Sequence, residues 1–180
     1  MALNATVYTL TVELSDVDRN VYESLDLRMA REPSESADYF LVRLLAYCLE
    51  YAEGISFTQG VAAGDEPAVW VHDLTGRLLA WIDVGLPDAA HLHKGSRAAD
   101  RVALYTHRHV TQLISQLSGK KIYRVEEIPV YALDPRFVSD VAGLIERRCS
   151  LSITRSDGEL FVDVAGQSFR SVVAEHHIPA

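Results

Sequence analysis

The stretch GDEPAVWVHDLTGRLLAWIDVGLPD, residues 64–88, decides the predicted fold because it contains two strands joined by a tight turn. Residues 68–72 form the first predicted strand, and residues 77–85 form the second. Between them, residues 73–76 begin with Asp and end with Gly, a pattern that is typical of a β-turn. We therefore predict an antiparallel pair of strands in the middle of the chain.

The acidic residues of this stretch lie at one end of the predicted pair. If Asp73 pairs with Gly76 across the turn, the numbers of any two paired residues add to 149. In that register Glu66 lies opposite Asp83, and both side chains are on one face of the sheet. Like charges that face each other are destabilising, so solvent, a shared proton, a basic side chain or a bound cation must offset the repulsion. The alternative is an exposed turn at Asp65 and Glu66, with Asp83 at a solvated strand end.

Basic residues follow directly on the predicted helix 89–99. Lys94 and Arg97 are three residues apart, which places them on one face of that helix, where they could bind a phosphate. Glu50, near the end of the first long helix, could add a carboxylate. An ordinary solvated helix face is the alternative interpretation of Lys94 and Arg97. His91 and His93 have the wrong helical spacing for paired metal ligands.

The rest of the chain predicts a mixed α/β domain over residues 1–180. Further strands are predicted at residues 6–14, 21–29, 101–106, 122–130, 151–155, 160–164 and 169–174. Helices are predicted from a cap at Ser34 or Ser36 to Gly54, at 89–99, at 109–117 and at 135–147. This order predicts a mixed sheet flanked by helices, with β-hairpins added at both ends.

Composition excludes several classes of protein. The net charge of −8 over 180 residues argues against a broad nucleic-acid surface, but it leaves room for a small local basic face. No apolar run is long enough to span a bilayer, and the alternating N-terminus does not resemble a signal peptide, so a cytoplasmic location is expected. Cys48 and Cys149 are expected to be reduced thiols.

Residues 64–88, Lys94, and the segments 57–60 and 102–106 closely resemble the YaeQ family, and the resemblance extends over essentially the whole chain. It implies a variant of the PD-(D/E)XK, restriction-endonuclease-like fold. In that superfamily an acid near the start of one strand is joined by an acid on the next strand, a lysine two residues later and often a helix glutamate. In this sequence the first acid matches Asp65 or Glu66, and the second acid matches Asp83. The helix glutamate matches Glu50.

The sequence departs from that superfamily pattern at the lysine position, which Gly85 occupies. Lys94, on the next helix, could reach back to the same place. The sequence therefore supports two hypotheses. The first is a Mg²⁺-dependent or Mn²⁺-dependent phosphodiesterase acting on nucleic acid. The second is a catalytically inactive nuclease-fold module for binding or interaction, which Gly85 and the acidic composition favour.

The first hypothesis assigns a role to each candidate residue. Hard cations prefer carboxylates, and a bound metal can activate water and neutralise the developing charge of a phosphodiester. The assigned metal ligands are Asp65, Glu66 and Asp83. The assigned catalytic residues are Asp83, Glu66, Lys94 and Glu50. The assigned phosphate-binding residues are Lys94 and Arg97.

Overall fold

The computed structural model describes residues 4–59 and 64–180, so Gly60 of the family-like segment 57–60 lies outside the described residues. Within these ranges the strands are β1 (Thr6–Asp16), β2 (Val21–Arg31), β3 (Ile55–Phe57), β4 (Val69–His72), β5 (Leu78–Val84), β6 (Arg101–Thr106), β7 (Pro129–Ala132), β8 (Arg148–Ser156), β9 (Glu159–Val164), β10 (Gln167–Val172) and β11 (Ala174–His177). The helices are α1 (Ala37–Leu49), α2 (Ala89–Ala98), α3 (Val110–Leu117) and α4 (Pro135–Ala142).

The described strands form two mixed sheets. The central sheet has the order β11-β7-β6-β5-β4-β3, in which β5, β6 and β7 are parallel. The terminal sheet has the order β10-β9-β8-β1-β2, and its two hairpins are joined by parallel pairing of β1 with β8. The predicted mixed α/β class is confirmed. The hairpins predicted at the two ends of the chain form a second sheet with each other.

Helix α1 lies in the core that the two sheets share. All residues from Phe40 to Leu49 are buried, which is typical of a helix that is covered on every side. Apart from Arg43, these residues belong to the same apolar cluster as Leu10 and Val12 of β1 and Ile82 of β5. Helix α2, which connects β5 to β6, packs with Trp81 and Leu104 in a second cluster. The central sheet is therefore covered on both faces.

The helix starts agree with the predicted capping chemistry. Ser36 caps α1, and its hydroxyl oxygen accepts a hydrogen bond from the backbone N–H of Tyr39 at 3.1 Å. Asp134 caps α4, with proline at the first helical position. The predicted end of α1 at Gly54 is wrong, because the helix ends at Leu49. Gly54 has φ +88°, and a Cβ there would lie 1.9 Å from the carbonyl oxygen of His72, so glycine allows the close approach of β3 to β4.

The predicted register of the central pair is wrong by two residues. The turn itself is confirmed, since the N–H of Gly76 donates to the carbonyl oxygen of Asp73 at 3.0 Å. Asp73 pairs with Arg77 rather than with Gly76, which shifts the register by one residue, and a bulge between Val71 and His72 adds the second. Trp70 therefore lies opposite Trp81 instead of Leu79. β4 begins at Val69, and Glu66 precedes it, so Glu66 does not pair with Asp83.

Two further predicted elements have different bounds. Most of the predicted strand 122–130 is irregular or a 3-10 turn at Val125–Glu127, and only its last residues belong to β7. Its apolar residues Ile122, Val125 and Ile128 are buried in the cluster around α2 and α3, where they do not need a sheet. Helix α4 ends at Ala142 and not near residue 147, because Gly143 caps it and β8 begins at Arg148.

Two expectations about the whole chain concern membranes and cysteines. No helix within residues 4–59 and 64–180 is both long and apolar enough to cross a bilayer. Cys48 is buried and Cys149 is partly exposed, and both are free thiols.

Candidate functional site

A cavity of about 590 Å³ lies at the carboxyl end of β5, where the chain turns into α2. Four of the residues singled out in the sequence line it: Asp65, Glu66, Asp83 and Lys94. The lining also includes residues to which the sequence analysis assigned no role, among them Tyr39, Asp88 and His91. Ligands of α/β sheets commonly bind outside the carboxyl ends of strands, so the position of this cavity is typical of a binding site.

Asp83 is the buried acid of this cavity, with only 4% of its surface exposed. Its Oδ2 accepts a hydrogen bond from Nε1 of Trp81 at 2.8 Å, and its Oδ1 accepts one from Nε2 of His91 at 2.8 Å. A buried carboxylate needs such partners, since leaving it unpaired is costly. The two donors therefore stabilise the carboxylate and fix its orientation.

Close packing of α2 against β5 brings His91 to Asp83. A Cβ at Gly95 would lie 2.6 Å from Nε1 of Trp81, so only glycine allows the helix to approach the indole ring this closely. Asp88 caps α2 by accepting from the backbone N–H of His91 at 2.8 Å, which places His91 in the first turn. The hydrogen bond to Asp83 raises the pKa of His91, and partial burial opposes that shift.

Lys94 reaches the rim of the same cavity. Its ammonium group donates to the backbone oxygen of Asp65 at 3.0 Å and lies 3.4 Å from Oδ2 of that residue. Position 85 is unsuited to a lysine. Gly85 has φ +91°, and a Cβ there would lie 3.1 Å from the ring of Tyr39. The cation of this cavity therefore comes from α2 and not from β5.

Glu50 and Arg97 lie elsewhere. Glu50 lines a second cavity of about 680 Å³, where its carboxylate pairs with the Arg101 guanidinium and accepts from the hydroxyl of Tyr105 at 2.7 Å. Burial, and then the charge of Glu50, raise the pKa of Tyr105 well above its usual value. The guanidinium of Arg97 lies over the ring of Tyr123, 5.1 Å from its centroid, and Arg97 does not line the Asp83 cavity.

The carboxylate oxygens at the Asp83 cavity are the kind of ligand that a hard cation prefers. Among the residues that the structure describes, no three His, Cys, Asp or Glu side chains form a ready metal-binding group. A Mg²⁺ ion whose shell is completed by waters and phosphate oxygens needs only one or two protein carboxylates. Hydrogen bonds from other groups usually orient carboxylate ligands, as Trp81 and His91 orient Asp83. These residues fit a cation that enters with a phosphate better than a cation held by the protein alone.

Comparison with known proteins identifies the family. A family model described as YaeQ protein matches residues 1–173. The chain belongs to the YaeQ family. The "Uncharacterized protein YaeQ" of Escherichia coli (strain K12) is 35% identical over 164 residues, which are 90% of each protein. The Salmonella typhi protein described in the same words is 32% identical over 166 residues, which are 92% of each.

Two solved YaeQ structures share the architecture. The crystal structure of YaeQ protein from Pseudomonas syringae has 30% identity and a TM-score of 0.86, with 95% of each chain covered. The crystal structure from Xanthomonas axonopodis pv. citri has 27% identity and a TM-score of 0.88, covering 97% of this chain and 99% of that one. The resemblance to the YaeQ family is thereby confirmed along the chain, and the two-sheet arrangement is similar to that of YaeQ crystal structures.

Proposed function

We propose that this YaeQ chain hydrolyses phosphodiester bonds in nucleic acid at the Asp83 cavity, with Mg²⁺ or Mn²⁺ entering together with the substrate. One observation carries the proposal. Asp65 and Glu66 from the loop before β4, Asp83 from β5 and Lys94 from α2 line one cavity. These are the residue types that the PD-(D/E)XK pattern requires, and Lys94 takes the place of the lysine that is missing at Gly85. We also propose that this chain has a variant of the PD-(D/E)XK, restriction-endonuclease-like fold.

The bound cation, when present, supplies an activated water and neutralises charge on the phosphate. Asp83 contributes a carboxylate that is already oriented, since Trp81 and His91 hold both of its oxygens. His91 acts on Asp83 and is therefore a positioning residue. Glu66 or Asp65, at the rim, contributes the second carboxylate.

Lys94 contributes a mobile positive charge to a phosphate oxygen. Its contact with Asp65 joins two exposed side chains, and exposed ion pairs contribute less than about 1 kcal/mol. A phosphate can therefore replace the Asp65 carboxylate at small cost, and Asp65 is then released. A lysine ammonium is a compact charge on a flexible stem, which suits this exchange.

The test is cleavage of labelled single-stranded and duplex DNA and RNA with Mg²⁺, with Mn²⁺ and with EDTA. We expect metal-dependent cleavage by the natural chain and its loss in Asp83→Asn and Lys94→Met. Arg77→Ala is the matched control, because Arg77 forms an exposed ion pair with Asp100 and does not line the cavity. Cleavage by Asp83→Asn at the natural rate would refute the assignment of the site. Thermal unfolding of each variant checks that the fold is kept.

A second candidate function is a binding or interaction module without catalysis. Two observations favour it. Both oxygens of Asp83 are already hydrogen-bonded, and the described residues hold no ready three-ligand metal group. Calorimetry with Mg²⁺ and Mn²⁺, on the natural chain with a non-cleavable oligonucleotide present, separates the two functions. Oligonucleotide binding with no metal uptake and no turnover supports the module.

A further inference from the structure

Two arginine side chains contact the ring of Tyr123 beside α2. The guanidinium carbons of Arg97 and Arg124 are each 5.1 Å from the centroid of its ring, and 44% of the Tyr123 surface is exposed. We infer that this group, the Arg–Tyr–Arg cluster, binds single-stranded nucleic acid and continues the path of the strand away from the Asp83 cavity. The inference deepens the proposed function and rests on it for the direction of the path.

Hydrogen bonds to α2 position Tyr123 and Arg124 beside Arg97 in the absence of a ligand. The hydroxyl of Ser96 donates to the carbonyl oxygen of Tyr123, and the N–H of Tyr123 donates to Nδ1 of His93 at 3.1 Å. Arg124 donates to the carbonyl oxygen of Ala99 at 3.1 Å, at the end of α2. A surface whose side chains are already ordered loses less conformational entropy on binding.

The cluster is adjacent to the cavity through α2. Lys94 lines the cavity, and Arg97 follows three residues later on the same face, about 4.5 Å further along the helix axis. A strand with one phosphate at Lys94 therefore meets Arg97 and Tyr123 next. Within residues 4–59 and 64–180, Arg97 has no carboxylate partner within salt-bridge distance, so its charge is available for a phosphate.

Charge and chemistry favour a single strand over other anionic partners. The net charge of −8 opposes the broad phosphate contact that duplex binding uses. The Glu127 carboxylate, 3.4 Å from the Arg124 guanidinium, also offsets part of the positive charge of the cluster. Bases of a single strand stack on aromatic rings and on guanidinium planes with little dependence on sequence. An acidic protein or peptide would use the two arginine charges but not the exposed tyrosine ring. The effect of removing that ring therefore distinguishes the two kinds of partner.

The experiment is fluorescence anisotropy with a labelled oligothymidine of about 12 nucleotides, a length within the usual range for single-strand sites. EDTA is present so that no cleavage occurs. We expect Tyr123→Ala to weaken binding at least about five-fold, since loss of one stacking contact has this effect or a larger one. Tyr123→Phe keeps the ring and should bind within about two-fold of the natural chain. Arg97→Ala should reduce the salt dependence by about one phosphate contact, a slope change of about 0.7.

The matched control is Tyr22→Ala, because Tyr22 is a tyrosine with 56% exposure on β2 of the terminal sheet. The inference is overturned if Tyr123→Ala binds like the natural chain, if Tyr22→Ala weakens binding equally, or if polyglutamate competes as well as the oligonucleotide. Failure of the proposed function is separate. If Asp83→Asn still cleaves while Tyr123→Ala loses binding, the catalytic site is wrong and the binding surface stands.

Discussion

Glu50→Ala should destabilise the fold without acting on the chemistry, because Glu50 lies away from the Asp83 cavity. Its carboxylate accepts from the hydroxyl of Tyr105, which is 1% exposed and would lose this partner. An unsatisfied buried hydroxyl costs about 1–3 kcal/mol. The Arg101 side chain is 44% exposed, so loss of its ion pair adds less than about 1 kcal/mol. We expect the free energy of unfolding to fall by about 2–3 kcal/mol.

Urea unfolding followed by tryptophan fluorescence measures this change, and a thermal scan should show a fall of about 5–10 °C for a chain of this length. Glu53→Ala is the matched control, since Glu53 is an exposed glutamate near the same helix end, and such changes usually stay within about 0.5 kcal/mol. Combining Glu50→Ala with Tyr105→Phe isolates the coupling between the two groups, expected at about 0.5–3 kcal/mol.

A structural role for Glu50 is refuted if Glu50→Ala is as stable as Glu53→Ala while any cleavage is lost. Glu50 would then act in the reaction, as the resemblance to the nuclease superfamily implies for the helix glutamate. Reduced stability with retained cleavage at low temperature agrees with a structural role.

Three further predictions concern buried contacts. Glu35→Gln removes the charge that pairs with buried Arg43 at 2.9 Å, and it should lower the free energy of unfolding by about 3–5 kcal/mol in urea. Burial lowers the pKa of His107 below its usual 6.5, so its neutral form is favoured in the fold. Its contribution to stability is therefore present above about pH 6.5 and is lost as the pH falls through the lower pKa of the folded state. In urea titrations at several pH values, His107→Gln should remove this fall in the free energy of unfolding on the acid side. Gly95→Ala should displace Trp81, cost about 1–3 kcal/mol by overpacking, and change the fluorescence of the folded state.

Each of these predictions has its own control. Asp100→Asn breaks the exposed pair with Arg77 and should cost less than about 1 kcal/mol, so an equal loss in Glu35→Gln would contradict the burial argument. An unchanged acid slope in His107→Gln would assign that slope to other groups. Gly143→Ala adds a Cβ with no neighbour closer than 3.5 Å, so it is the comparison for Gly95→Ala.

Local chemistry made the turn at Asp73 predictable. Oδ1 of Asp73 accepts from the backbone N–H of Thr75 at 2.8 Å and of Arg77 at 3.0 Å, and these partners are all within four residues. The register was not predictable, because neither the pairing of Asp73 with Arg77 nor the bulge between Val71 and His72 has a signal in the turn residues. The same reason applies to the pairing of β1 with β8, which joins residues far apart in the chain.

The candidate site was predictable only in part. Asp65, Glu66, Asp83 and Lys94 were singled out from strand and helix spacing together with the family resemblance, and the structure places them around one cavity. The role of His91 depends on how closely α2 packs, and helical spacing alone does not show that. The sequence did contain a signal for His91. A carboxylate inside the apolar run of β5 requires hydrogen-bond donors, and the first turn of the next helix can supply one.

The parallel pairing of β1 with β8 has a consequence for the order in which the chain folds. Asp16 and Arg155, an ion pair at the end of these strands, are 139 residues apart. Ordering such a long loop costs conformational entropy before any contact is gained, and non-local pairing of this kind slows folding. An isolated two-stranded hairpin is marginally stable in water, so the β1–β2 hairpin must wait for β8, which is synthesised much later in the chain. Until then its apolar face and its open edge are available to other chains, and synthesis is the stage at which this protein is most prone to aggregation.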